Sequence, residues 1–198
     1  MDLEQVHIEK NNLALLEEKN VVILHIHGGG FVAMSSSSHQ NYTRIWANEL
    51  NIPVFSIDYR LSPESRFPDA LNDCWQVYFW LLEEGEIHLD MKIDNIIIAG
   101  DSAGGNLCSA LVLLCLKKKY KLPLACILSY PASFVGANKF VPSLLFSLDD
   151  ILLPTKFLKS ALSAYAGEII NENPECQADT FDLLSPLSAD EELLKQFP

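Results

Sequence analysis

Short apolar runs alternate with longer stretches of helical periodicity through most of the chain. Val21 to Ile26 (VVILHI) is β-branched and apolar, the character of a strand buried on both faces, and His27 to Gly30 break it. From Ser38, a capping residue, to about Leu50, the residues Tyr42, Ile45, Trp46 and Leu50 recur on one helical face. VFSIDY (Val54 to Tyr59) reads as the next strand. After the loop LSPESRF, Pro68 suits a first helical position. Leu71, Cys74, Trp75, Tyr78 and Leu82 then repeat at helical spacing until Gly85 ends the pattern, and their aromatic stripe reads as core. Asn95 to Ala99 (NIIIA) makes a third strand, Gly104 to Leu116 a helix apolar on almost every side, and Leu124 to Ser129 a fourth strand. This alternation predicts an α/β fold, a mostly parallel sheet with helices on both faces. From Phe134 the pattern is irregular and helical only in its second half, and the tail from Glu168 is acidic and turn-rich.

Composition narrows the picture. The 198 residues are 49% hydrophobic, enough for one sizeable core, and no linker or repeat divides them, so residues 1–198 are expected to form one domain. A formal charge of −12 repels phosphate backbones and argues against nucleic acid as a partner. Lys117, Lys118, Lys119 and Lys121 follow an apolar helical run, where they compensate a helix C-terminus. The cysteines Cys74, Cys108, Cys115, Cys126 and Cys176 are scattered and form no C-x-x-C pair, so neither a disulfide framework nor a zinc site is indicated. MDLEQVHIEKNN lacks the basic-then-apolar order of a signal peptide, and ALVLLCL is too short to span a bilayer. The expected location is cytoplasmic.

Candidate chemistry sits at two glycine turns. AGDSAGGN places Ser102 between a buried strand and a buried helix, with Gly100 and Gly104 two positions to either side. This is a G-x-S-x-G elbow, which strains the serine and lifts its Oγ over the strand ends. The amide of Ala103 opens the helix beyond it and points where an oxyanion would form. A phosphate loop would carry a Lys-Ser/Thr pair and a dinucleotide loop G-x-G-x-x-G; GDSAGG has neither. His27-Gly28-Gly29-Gly30-Phe31, directly after the first strand, offers further unobstructed amides. His25 and His27 form an H-x-H pair without a third ligand nearby, so no metal site is expected; His27 reads as ordering its loop and His25 as core. No cofactor is implied.

The stretches ILHIHGGGFVAMSSSSH, FSIDYRLSPESRFPDAL, AGDSAGGNLC, LLP, LSAYAG and LSPL resemble the hormone-sensitive lipase family of α/β-hydrolases, from about Val21 to the C-terminus. The resemblance implies a carboxylic ester hydrolase with Ser102 as nucleophile and Gly28, Gly29 and Ala103 as oxyanion donors. Asp101 is then part of the motif and not the triad acid, and Tyr59, Pro63 and Glu64 belong to a scaffold signature. It further implies an acylglycerol or other lipid ester as substrate, peripheral contact with lipid droplets, and an acyl-chain wall along Phe140 to Leu162. The sequence departs from the family in one respect. His7, His25, His27, His39 and His88 all precede Ser102, and Asp149 and Asp150 lie before ILLP in a helical segment. An incomplete α/β-hydrolase fold is therefore expected, with the triad Asp and His beyond Pro198, a free edge on the fourth strand, and little activity in this chain alone. The alternative is a noncatalytic ligand-binding protein on the same fold, resembling the plant gibberellin receptors, which lack the triad histidine.

Overall fold

Four parallel strands carry the molecule: β1 (Val21–Ile26), β2 (Val54–Ile57), β3 (Asn95–Asp101) and β4 (Ala125–Ser129), in the order β2-β1-β3-β4. The computed structural model describes residues 20–135, 153–167 and 178–198. Asp149, Asp150, Cys176 and most of the Phe140 to Leu162 segment lie outside them. Between the strands run α1 (Gln40–Leu50), α2 (Asp69–Glu83), α3 (Gly85–Leu89) and α4 (Ala103–Lys118). Farther along are α5 (Thr155–Ala166), α6 (Ala178–Leu184) and α7 (Glu191–Leu194).

The expected parallel sheet is present, and strand periodicity divides its side chains between two layers. Val22, Leu24, Ile26, Ile96 and Ile98 face α2 and α4 in the main core, with Leu71, Cys74, Tyr78, Leu107 and Leu111. Ile23 and Ala99 face the other way, where Trp46 and Leu50 of α1 pack on them. β1 is buried along its whole length because β2 and β3 flank it and helices cover both faces. Among the described residues β4 pairs with β3 alone, and Ile127 remains 47% exposed.

Several local expectations are corrected. Ser38 does not cap α1; it lies inside a 3₁₀ turn, Ser36–His39, where its Oγ accepts the Ser35 amide at 3.1 Å. Four consecutive serines offer several competing local bonds, so the cap falls earlier than the simplest reading places it. Ile45 is 57% exposed, off the buried face shared by Trp46 and Leu50. Pro68 is the residue before the first turn of α2, not within it. The helix α2 ends at Glu83, just before Gly85 as expected, but Gly85 opens a further short helix, α3, where an added Cβ would lie 3.0 Å from Ile93 Cδ1. β3 runs two residues beyond Ala99, and β2 stops two short of Tyr59.

The lysine cluster lies at the C-terminus of α4, where cations favour the helix dipole. Lys117 pairs with Asp182 of α6 at 2.7 Å, and Lys118 sits 5.5 Å from the centre of the Trp75 ring. Leu111 is fully buried at the contact between α4 and the sheet. Leu111→Ala should cost about 2–5 kcal/mol of unfolding free energy, read as a lower urea midpoint at unchanged m-value.

Candidate active site

β1 and β3 lie side by side, with Ile26 opposite Gly100, so the two glycine turns emerge next to each other at the C-terminal ends of parallel strands. Such ends are where α/β sheets present ligand sites. The turn at Ser102 is made possible by close backbone approach. A Cβ on Gly100 would lie 2.6 Å from the carbonyl carbon of Gly104, and one on Gly104 would fall onto the carbonyl oxygen of Ile26. Strand, helix and neighbouring strand therefore meet without intervening side chains.

Ser102 itself has φ 50° and ψ −114°, a region that costs a side-chain-bearing residue energy. Three main-chain bonds hold it there. Its N–H donates to Ser129 O at 3.0 Å, and its carbonyl accepts from Asn106 N–H at 3.1 Å and Ala132 N–H at 3.0 Å. The Ala103 amide opens α4, where no intrahelical acceptor exists for it.

The glycine loop is anchored to the same turn. Asp101 Oδ1 accepts the Gly28 amide at 3.1 Å, which ties the glycine loop to the elbow. A carboxylate is a strong acceptor and is already in place before any ligand arrives. No described residue accepts from the amides of Gly29 or Gly30. Gly29 has φ 115°, open to glycine alone, and its carbonyl accepts from Val32 at 3.2 Å and Ala33 at 3.1 Å, closing the loop on itself. His27 stacks on Tyr59 with centroids 4.3 Å apart, its Nδ1 lies 2.6 Å from Gly28 O, and Tyr59 OH donates to His27 O at 2.8 Å. Burial pushes the His27 imidazole below the usual histidine range.

Asp101 gathers further groups, Tyr42 from the periodic face of α1 and two left unassigned around this site by sequence, His39 and Tyr130. Tyr42 OH donates to its Oδ1 at 3.3 Å, His39 Nε2 lies 3.4 Å from the same oxygen, and Tyr130 OH approaches Oδ2 at 3.4 Å. Because Tyr42 uses its proton on Asp101, it accepts from His25 Nε2 at 2.8 Å, leaving His25 Nδ1 to accept from Ser56 Oγ at 2.8 Å. Burial pushes the His25 pKa down from 6.5 to about 4, so the ring is neutral and this proton order satisfies every group. The signal available in the sequence was spacing: His39 and Tyr42 stand three apart at a helix start and share a face. Among the described residues no group of three or more His, Cys, Asp or Glu is placed to hold a metal ion.

On the far side of the elbow, Asn106 is fully buried. Its Nδ2 donates to Ala132 O at 2.7 Å and to Leu184 O at 3.0 Å. Ser185 Oγ then accepts Val135 N–H at 2.9 Å and donates to Val135 O at 2.8 Å. The LSPL segment is thus tied to the loop that leaves β4. Over the glycine loop lies α5, where Tyr165 stacks on Phe31 at 3.8 Å between ring centres.

The chain is similar to known proteins along nearly all its length. The alpha/beta hydrolase fold family matches residues 23–198. Hormone-sensitive lipase of Bos taurus is 39% identical over 173 residues, 87% of this chain and 23% of that protein. Esterase LipI of Mycobacterium tuberculosis is 33% identical over 153 residues, 77% of this chain and 47% of that one. Among solved structures, carboxyl esterase 2 of the fungus Tuber melanosporum superposes with a TM-score of 0.78 at 30% identity, covering 91% of this chain and 55% of that one. The chain therefore spans from about a quarter to about half the length of these proteins.

Two outcomes follow from the geometry. Gly104→Ala should disrupt packing at the elbow, lowering stability by about 3 kcal/mol or more, because the methyl group meets backbone that cannot move aside; thermal unfolding checks it. The second concerns pH. His25 is held neutral in the folded chain but protonates in the unfolded one, so its contribution is complete above pH 6.5 and is lost progressively toward about pH 4. Urea midpoints should fall across that window, and His25→Gln should flatten the fall.

Proposed function

The chain belongs to the alpha/beta hydrolase fold family, and from that membership we propose that it is a carboxylic ester hydrolase domain in which Ser102 forms the acyl-enzyme. The observation that carries the reading is the strained backbone of Ser102 at the end of β3, beside a glycine loop whose Gly29 and Gly30 amides have no described acceptor. The amides of Gly28, Gly29 and Ala103 are the proposed oxyanion donors, aimed at charge that develops as the carbonyl becomes tetrahedral. Gly28 and Asp101 position the loop, while Gly100 and Gly104 give the elbow room.

Lipid esters such as acylglycerols are the proposed substrate class. The similarity to hormone-sensitive lipase supports this, as do Leu153 and Phe157, exposed beside the α5 roof. A cytoplasmic location and peripheral contact with lipid droplets accompany the reading. No helix among the described residues is long and apolar enough to cross a membrane.

A serine of this kind needs a base to take its proton. No histidine follows Ser102 in the sequence, and the described His25, His27 and His39 are engaged with Tyr42, Gly28 and Asp101. The 198-residue chain should therefore hydrolyse p-nitrophenyl butanoate no faster than roughly 10³ to 10⁴ times the rate in water, the residue left by an oxyanion hole and binding. Ser102→Ala should leave that residual rate nearly unchanged, because a serine without its base adds little to an oxyanion hole and binding. Turnover of ordinary esterase size that Ser102→Ala abolishes would show that a base is present after all.

A further inference from the structure

We propose that Asn106 is a positioning residue for the Ser102 nucleophile: its side-chain amide, by donating twice, fixes the direction of the Ser102 carbonyl. The role rests on the reading of Ser102 as nucleophile and adds to it a residue one helical turn along α4. Three hydrogen bonds close a ring. The Ala132 N–H donates to Ser102 O at 3.0 Å, Asn106 Nδ2 donates to Ala132 O at 2.7 Å, and the Asn106 N–H returns to Ser102 O at 3.1 Å. The direction of a carbonyl is set by ψ, which at Ser102 is −114° and outside the helical range. The ring is what holds it there.

The side chain shows what the position requires. Both partners of Asn106 are carbonyl oxygens, so its nitrogen must face them. The second, Leu184 O, closes α6, where a carbonyl of the last turn has no intrahelical partner. Asn106 therefore joins the end of α6 and the loop after β4 to the residue that carries the strain. Its own oxygen is left over. Oδ1 is buried and has no hydrogen-bond partner among the described residues, an arrangement that costs stability. A serine or threonine has one proton to give where two carbonyls wait, and a lysine would bring a charge into a position that is fully buried. A neutral group with two protons on one nitrogen is an amide, and asparagine is the shortest side chain that carries one. The idle oxygen accompanies the two donors that the ring and α6 need.

The test measures backbone geometry and not turnover, so its failure is distinguishable from failure of the ester-hydrolase reading, which the Ser102→Ala assay addresses. In the ¹³C,¹⁵N-labelled 198-residue chain, amide hydrogen exchange reports on the two N–H groups that meet at Ser102 O, those of Asn106 and Ala132. Asn106→Leu keeps the branched shape and removes both donors; Asn106→Ser gives up volume and keeps one donor; Asn106→Ala gives up volume and both donors. The two amides should exchange at least about tenfold faster in Asn106→Leu and Asn106→Ala, and only about threefold faster in Asn106→Ser. The Ser102 Cα and carbonyl ¹³C resonances, which report its backbone angles, should move in the same order. Leu81→Ala, in the core on α2, should leave those resonances in place, which separates positioning from a general loss of stability. If Asn106→Leu does not fold, Asn106→Ala against Asn106→Ser makes the same comparison. An elbow kept by Asn106→Leu and lost in Asn106→Ser would assign the residue to packing and overturn the proposal. So would Asn106→Ala and Asn106→Ser behaving alike, or Leu81→Ala shifting Ser102 as far as they do.

Discussion

Ser102 can keep its strained backbone only because three main-chain hydrogen bonds from three different segments close on it. Its amide continues the β3–β4 pairing into Ser129, while its carbonyl serves both the first turn of α4 and the loop after β4. Each bond constrains a neighbour in turn. The α4 bond requires the helix to start at Ala103, which brings its glycines against β1; the Ala132 bond fixes where the chain goes after β4. Local strain of about 1–3 kcal/mol is tolerable under such over-determination. A serine without these contacts would relax into an ordinary helix cap, with its hydroxyl turned onto the helix.

The residue beside it solves a second problem. A glycine-rich loop has more conformational freedom than any other segment, and something must hold it. Asp101 does so through the Gly28 amide, and is itself held by His39 at the end of the 3₁₀ turn and Tyr42 in the first turn of α1. One carboxylate thereby joins β3, the loop after β1 and the start of α1. The polar layer continues through His25 to Ser56 on β2, so it crosses three of the four strands. Buried polar groups of this kind are tolerated because each has a partner.

Strand positions were legible because β-branched runs bounded by turn residues have few alternatives: VVILHI was located to the residue, and the others to within two. The two glycine turns were legible for the same local reason. What periodicity could not resolve depends on tertiary contact. Ile45 looks like a core residue by spacing, but it stands off the face that Trp46 and Leu50 turn toward Ile23 and Ala99 and is 57% exposed. Gly85 looks like a terminator, and α2 does stop before it, but the short helix α3 that begins there has no periodic signal of its own. The bond from the Gly28 amide to Asp101 joins positions 73 residues apart, which no local pattern could show. Asn106 stood inside the AGDSAGGN stretch, but its partners are 26 and 78 residues away, beyond any pattern.

That last separation bears on how the chain is made. Asn106 is synthesised with the elbow, but the acceptor Leu184 comes 78 residues later. At a translation rate of 5–20 residues per second, that is roughly 4 to 16 s. During this interval the nascent α4 carries a side-chain amide one acceptor short of its final set, at a position that ends fully buried. An elbow formed on the ribosome is thus provisional, and its closure is deferred until the LSPL segment arrives.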